Sequence, residues 1–124
     1  MAKRILVADD EEIIRNYVTR ALLSRGYTLE TASDGVSALA LAKKEEFDLV
    51  ICDLKMPDMR GEEAIRQLRI MRPHIKVVLI TGSVSDISNP IVPGVVVEGF
   101  LIKPFGINEI RDMVGKVLGT GNSV

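Results

Sequence analysis

Five side chains have the types and spacing to do chemistry together: Asp9, Asp10, Asp53, Thr81 and Lys103. Three carboxylates brought to one place repel, and keeping all of them ionised requires a compensating cation. Hard oxygen ligands that leave positions open for water and phosphate suit Mg²⁺ best. Beside such a centre the Lys103 ammonium is a compact positive charge and the Thr81 hydroxyl a short hydrogen-bond donor, both matched to phosphoryl oxygens. An Asp53 carboxylate oxygen would attack phosphorus and become an acyl phosphate, with the lysine, the threonine and the metal stabilising the charge.

Each residue taken alone has a plainer reading. The run Asp9, Asp10, Glu11, Glu12 suits a helix N-terminus, whose dipole favours anions. Asp53 near Pro57 and Gly61, and Lys103 before Pro104, suit turns, and Thr81-Gly82 suits the end of a strand. The two sets of readings part company only at the level of the elements that carry these residues.

Apolar runs rich in branched residues recur at Ile5–Ala8, Tyr27–Thr31, Leu49–Cys52, Val77–Ile80 and Phe100–Ile102, which the pattern predicts as strands. Between them helical spacing links Ile13, Tyr17, Ala21 and Leu22; Val36, Leu39, Ala40 and Phe47; Ala64, Ile65, Leu68 and Met71; and Ile107, Ile110, Val114, Val117 and Leu118. Such alternation predicts an α/β fold of parallel strands joined by crossover helices. Gly26 is expected to cap the first helix, Ser33 or Asp34 to start the second, and Pro73 to follow the third. Where a fourth helix is due, Ser83–Gly99 holds Pro90, Pro93, Gly94 and three consecutive valines, so the expectation is a helix that is short, broken or absent. In an open parallel sheet, loops converge at the carboxyl ends of the strands. Asp9 and Asp10 end the first strand, Asp53 the third, Thr81 the fourth and Lys103 the fifth, so all five chemical residues fall at one sheet edge.

The bulk numbers are those of one domain: 124 residues, 47% hydrophobic, with 16 basic against 17 acidic side chains for a net charge of −1. That balance argues against direct nucleic-acid binding. The apolar run after the basic N-terminus is too short for a signal peptide or a membrane span, which points to a cytoplasmic protein with no membrane partner. The lone Cys52 lies in an apolar run and reads as a core thiol, and His74 after Pro73 reads as surface. Residues 119–124 are expected to form a flexible tail.

These pieces in this order resemble the response-regulator receiver family, the CheY-like superfamily, of the single-domain type. The matching stretches are Ile-Leu-Val-Ala-Asp-Asp-Glu from Ile5, Asp-Leu-Val-Ile-Cys-Asp-Leu-Lys-Met-Pro from Asp48, Leu-Ile-Thr-Gly from Leu79 and Leu-Ile-Lys-Pro-Phe from Leu101. The likeness covers residues 3–118. It implies a flavodoxin-like doubly wound sheet of five parallel strands in the order 2-1-3-4-5, with helices on both faces. It also implies that Asp10 binds Mg²⁺ directly, Asp9 through water and Asp53 as both ligand and phosphoacceptor, with the Lys55 backbone carbonyl as a further ligand. Thr81 and Lys103 would contact the phosphoryl group, small Gly82 would leave access for a donor histidine, and Thr81 with Phe100 would form a switch. The implied partners are a sensor histidine kinase or histidine phosphotransfer protein and a downstream protein, with a phosphorylation-dependent homodimer left open. Turnover would be confined to the protein's own aspartyl phosphorylation and dephosphorylation. Two other classes compete. An aspartyl phosphatase would carry Asp-x-Asp at its nucleophile, whereas Asp53 is followed by Leu54-Lys55. A degenerate receiver that binds partners without phosphorylation is motivated by the unusual Ser83–Gly99 segment.

Overall fold

The computed structural model describes residues 2–83 and 96–119. Five strands form one parallel sheet in the order β2-β1-β3-β4-β5: β1 (Arg4–Ala8), β2 (Thr28–Ala32), β3 (Leu49–Asp53), β4 (Lys76–Thr81) and β5 (Gly99–Ile102). Helices α1 (Glu12–Leu23), α2 (Gly35–Lys44) and α3 (Gly61–Met71) follow the first three strands, and α4 (Ile107–Leu118) follows the fifth. The fold is thus the flavodoxin-like arrangement implied by the sequence. The expected break of a helix within Ser83–Gly99 falls largely on residues 84–95, outside the described residues. The described ends of that segment, Ser83 and residues 96–98, are in neither helix nor strand.

The central strands are continuous apolar runs because helices cover both faces of the sheet, and side-chain alternation splits their residues between two cores. Leu6, Val50, Cys52, Val77 and Leu79 pack with Ala38 and Ala42 of α2 and Ala64, Ile65 and Leu68 of α3. Ile5, Val7, Leu49, Ile51, Val78, Ile80 and Leu101 pack with Val18, Ala21 and Leu22 of α1 and Ile110 and Val114 of α4. Burial pushes the Cys52 thiol well above its ordinary pKa, with nearby Asp53 and Asp9 adding to the effect, which leaves it inert as the core reading implies.

Three local expectations shift. The first helix buries Val18, Ala21 and Leu22 with Ile14 against its flank, while Ile13 stands 76% exposed. Val36 likewise faces out, and α2 turns Ala38 and Ala42 inward. Spacing alone could not choose between neighbouring stripes a third of a turn apart. Gly26 does not cap α1 directly, since Ser24 is the C-cap residue. Gly26 sits two residues on at φ +88°, a left-handed turn conformation that costs a glycine least. Asp34 starts α2 as expected, its carboxylate accepting from the Ser37 N–H at 2.7 Å.

Ile65 is fully buried between α3 and the sheet. Ile65→Ala is expected to lower unfolding stability by about 2–5 kcal/mol, measured by urea titration.

Candidate functional site

The side-chain alternation that fills the two cores also builds the site. Ile5 and Val7 lead to Asp9, Leu49 and Ile51 to Asp53, and Leu101 to Lys103, each stepping by two along the face covered by α1 and α4. Val77 and Leu79 lead to Thr81 on the opposite face. The strand ends therefore present two carboxylates and an ammonium from one layer and a hydroxyl from the other.

Lys103 gathers the acidic groups. Its Nζ lies 2.6 Å from Glu11 Oε1, 2.9 Å from Asp53 Oδ2 and 3.1 Å from Asp9 Oδ2. The first two contacts are hydrogen bonds; the third is a charge contact, because Asp9 Oδ2 accepts no hydrogen bond. Burial alone would pull the lysine pKa down, but the hydrogen bonds it donates to Asp53 and Glu11 outweigh it and hold the ammonium above its ordinary value. Asp9 is driven instead toward its neutral form. Its burial raises the pKa to about 6, with Asp53 adding to the rise while the Glu11 N–H and Lys103 oppose it. Asp9 is fully buried, its Oδ1 accepts from the Glu11 N–H at 2.8 Å, and its backbone carbonyl accepts from Arg15 at 2.8 Å. Asp10 is exposed at the rim.

Asp9, Asp10 and Asp53 each offer a carboxylate oxygen, all within 4.8 Å of one another. With an orphaned oxygen on buried Asp9, this anionic, all-oxygen donor set fits a hard divalent cation. Lys55 lies beside it, its N–H donating to Asp53 Oδ1 at 2.9 Å. Thr81 is buried, its Oγ1 accepting from the Ser83 N–H at 3.1 Å. Among the described residues, a Cβ on Gly82 would meet nothing within 4 Å, so the space at Gly82, next to Thr81, is open there. Phe100 packs half-buried against the core on the Thr81 face, paired across the strands with Leu79. The structure thus brings Asp9, Asp10, Asp53 and Lys103 together, with Lys55, Thr81 and Gly82 around them, and sets Phe100 one layer below.

A model of the response regulator receiver domain matches residues 5–115. The chain belongs to that family. The sporulation initiation phosphotransferase F of Bacillus subtilis is 34% identical over 120 residues, covering 95% of this chain and 95% of that protein. The sensor kinase CckA of Brucella abortus is 36% identical over 116 residues, which cover 92% of this chain but only 12% of the kinase. Among solved structures, the chemotaxis response regulator CheY4 of Vibrio cholerae superposes with a TM-score of 0.88 at 32% identity, covering 95% of this chain and all of that one. The response regulator TrrA of Thermotoga maritima, in complex with Mg²⁺-BeF, gives a TM-score of 0.84 at 33% identity, covering 94% of this chain and 99% of that one.

Several positions in this receiver carry more than their sequence context announced. Arg15 shows only as a charged residue among the apolar positions of α1, and Glu11 only as part of an acidic run. Asp58 in the β3–α3 loop accepts from the Gly35 and Val36 N–H groups at 2.9 and 2.8 Å, and these bonds hold its carboxyl below the ordinary range. It caps α2 from a distant loop, a contact no local motif encodes. Gly61 opens α3 so close to β3 that a Cβ there would lie 2.4 Å from the Asp53 carbonyl oxygen.

Two outcomes follow from this geometry. Gly61→Ala must push the Asp53 main chain aside, and is expected to cost about 1–3 kcal/mol of stability in urea titration while shifting the Lys55 amide resonance. In the metal-free protein Asp9 holds its proton more tightly folded than unfolded. Its contribution is present below the unfolded value of 3.8 and is lost as pH rises through about 6. Asp9→Asn should flatten the fall in stability between those limits, measured by denaturation across pH.

Proposed function

We propose that this receiver accepts a phosphoryl group on Asp53, in a Mg²⁺-dependent transfer from the histidine of a sensor kinase or phosphotransfer protein. The observation that carries this reading is the Lys103 ammonium 2.9 Å from Asp53 Oδ2 at the mouth of an acidic cluster. Asp9, Asp10 and Asp53, with the Lys55 backbone carbonyl, would hold Mg²⁺, which supplies charge to neutralise phosphoryl oxygens. The TrrA complex with Mg²⁺-BeF is a precedent in a relative of the same fold.

Within that frame the chain's own residues do the rest. The Lys55 N–H on Oδ1 fixes the Asp53 carboxylate and leaves Oδ2 toward the lysine. Oδ2 attacks phosphorus; the new P–O bond forms as the P–N bond to the donor imidazole breaks, and the imidazole leaves with its electron pair. Lys103 balances the charge that gathers on the equatorial oxygens, and the Thr81 hydroxyl turns to donate to one of them. The open space above Gly82 admits the donor ring. Beside the site, Ile13, Ile14, Tyr17, Pro104 and Phe105 line an apolar cleft of about 410 Å³, a surface suited to a protein donor rather than a small molecule. Movement of Thr81 toward the phosphate would free the space into which Phe100 rotates, biasing an existing equilibrium on the β4–β5 side. Lacking a hydroxyl, Phe100 would act by packing alone.

With acetyl phosphate and Mg²⁺, the intact protein should gain the mass of one phosphoryl group, and Asp53→Asn should gain none. Lys103→Ala should slow the gain by about 100-fold or more. An unmodified wild type, or a gain that persists in Asp53→Asn, would refute the assignment.

A further inference from the structure

Glu11 belongs neither to the acidic triad nor to the phosphoryl chemistry above, yet it makes the shortest contact to the central lysine, 2.6 Å from Nζ. It is also the N-cap residue of α1, where glutamate is a poor choice and where its side chain makes no capping hydrogen bond. Its backbone is pinned instead, the N–H donating to Asp9 Oδ1 at 2.8 Å. The carboxylate therefore reaches away from the helix it starts and across to Lys103. A position that forgoes a local preference in this way is expected to serve the site.

The direction of the contact matters. The Glu11 side chain is 54% exposed, against 18% for Lys103 and 7% for Asp53, so it meets the ammonium from the solvent side. An ammonium has three N–H donors. At rest two of them are hydrogen-bonded to Glu11 and Asp53, and the ammonium's remaining contact is to fully buried Asp9, so a phosphoryl oxygen arriving on Asp53 from the solvent side meets the Glu11 contact. The contact to Glu11 is the outermost and the most solvated, hence the least costly to exchange. Its carboxylate would also stand close to the incoming anion and repel it.

Resting on the reading of Asp53 as phosphoacceptor, we propose that Glu11 is a positioning residue: it holds Lys103 in its resting place and competes with the phosphoryl group for the ammonium. It thereby sets how tightly the site holds that group. Glu11→Gln keeps the shape but weakens the hold on the ammonium by removing the charge. Glu11→Asp keeps the charge and is a better N-cap, but is one methylene too short to reach.

The test is titration of the full chain with beryllofluoride at saturating Mg²⁺, followed by NMR, with the Lys103 ammonium nitrogen resonance recorded separately in metal-free protein. Both E11Q and E11D should bind beryllofluoride about fivefold more tightly than wild type, and both should shift the metal-free Lys103 resonance. Affinity in E11Q equal to or below wild type, or wild-type affinity in E11D, would overturn the proposal, the latter by showing that charge rather than the lysine contact matters. A wild type that binds no beryllofluoride refutes the Asp53 reading instead. In that event an unmoved Lys103 resonance in the metal-free variants would overturn the present inference on its own.

Discussion

One ammonium group organises this end of the molecule. Lys103 leaves β5, crosses above the sheet edge and meets carboxylates from the end of β1, from the start of α1 and from the end of β3. Without it, Asp9, Asp10 and Asp53 would confront one another unneutralised, and the pKa of Asp9, raised to about 6 by burial first and by Asp53 second, shows how little charge that position tolerates. The lysine is held in turn by the sheet: its N–H donates to the Thr81 carbonyl at 2.8 Å, extending the β4–β5 ladder by one residue beyond β5. A cation that balances charge from two strand ends and a helix start is thus anchored by backbone pairing to a further strand, β4.

The pleat explains why the acids and the hydroxyl do not compete for the same space. Residues on the α1/α4 side of β1, β3 and β5 are apolar until the last position and then become Asp9, Asp53 and Lys103. Residues on the α2/α3 side of β4 are apolar until Thr81. Charge at the top of one layer and a neutral donor at the top of the other give an asymmetric mouth, open over Gly82 and crowded over Lys103. The same asymmetry separates the carboxylates from Phe100, which sits among apolar neighbours on the Thr81 face.

Much of this was legible in the sequence because it depends on period-two alternation and on strand ends, both of which are local. The five strands and the four described helices follow from patterns no longer than the elements themselves, and the strand ends they define put Asp9, Asp10, Asp53, Thr81 and Lys103 at one edge. What was hidden depends on contacts between distant segments. Ile13 looks like a core position by spacing, and only the docking of α1 on the sheet shows that Ile14 and Val18 are the residues turned inward. Nothing near Glu11 or Arg15 announces that one reaches Lys103 and the other the Asp9 carbonyl. Asp58 lies in a bend of the β3–α3 loop, but its carboxylate serves a helix 22 and 23 residues earlier in the chain.

That last contact has an evolutionary corollary. The loop from Lys55 to Arg60 is fastened at one end by Gly61, which tolerates no side chain against the Asp53 backbone, and at its middle by Asp58 hooked onto the start of α2. A single inserted or deleted residue between Asp53 and Gly61 would unhook α2 or displace the carboxylate, whereas exchanging the exposed side chains of Lys55 or Pro57 would do neither. Lineages of this domain should therefore diversify this loop by substitution and hold its length constant, so that partner preference can drift beside the site while the spacing that builds the site does not.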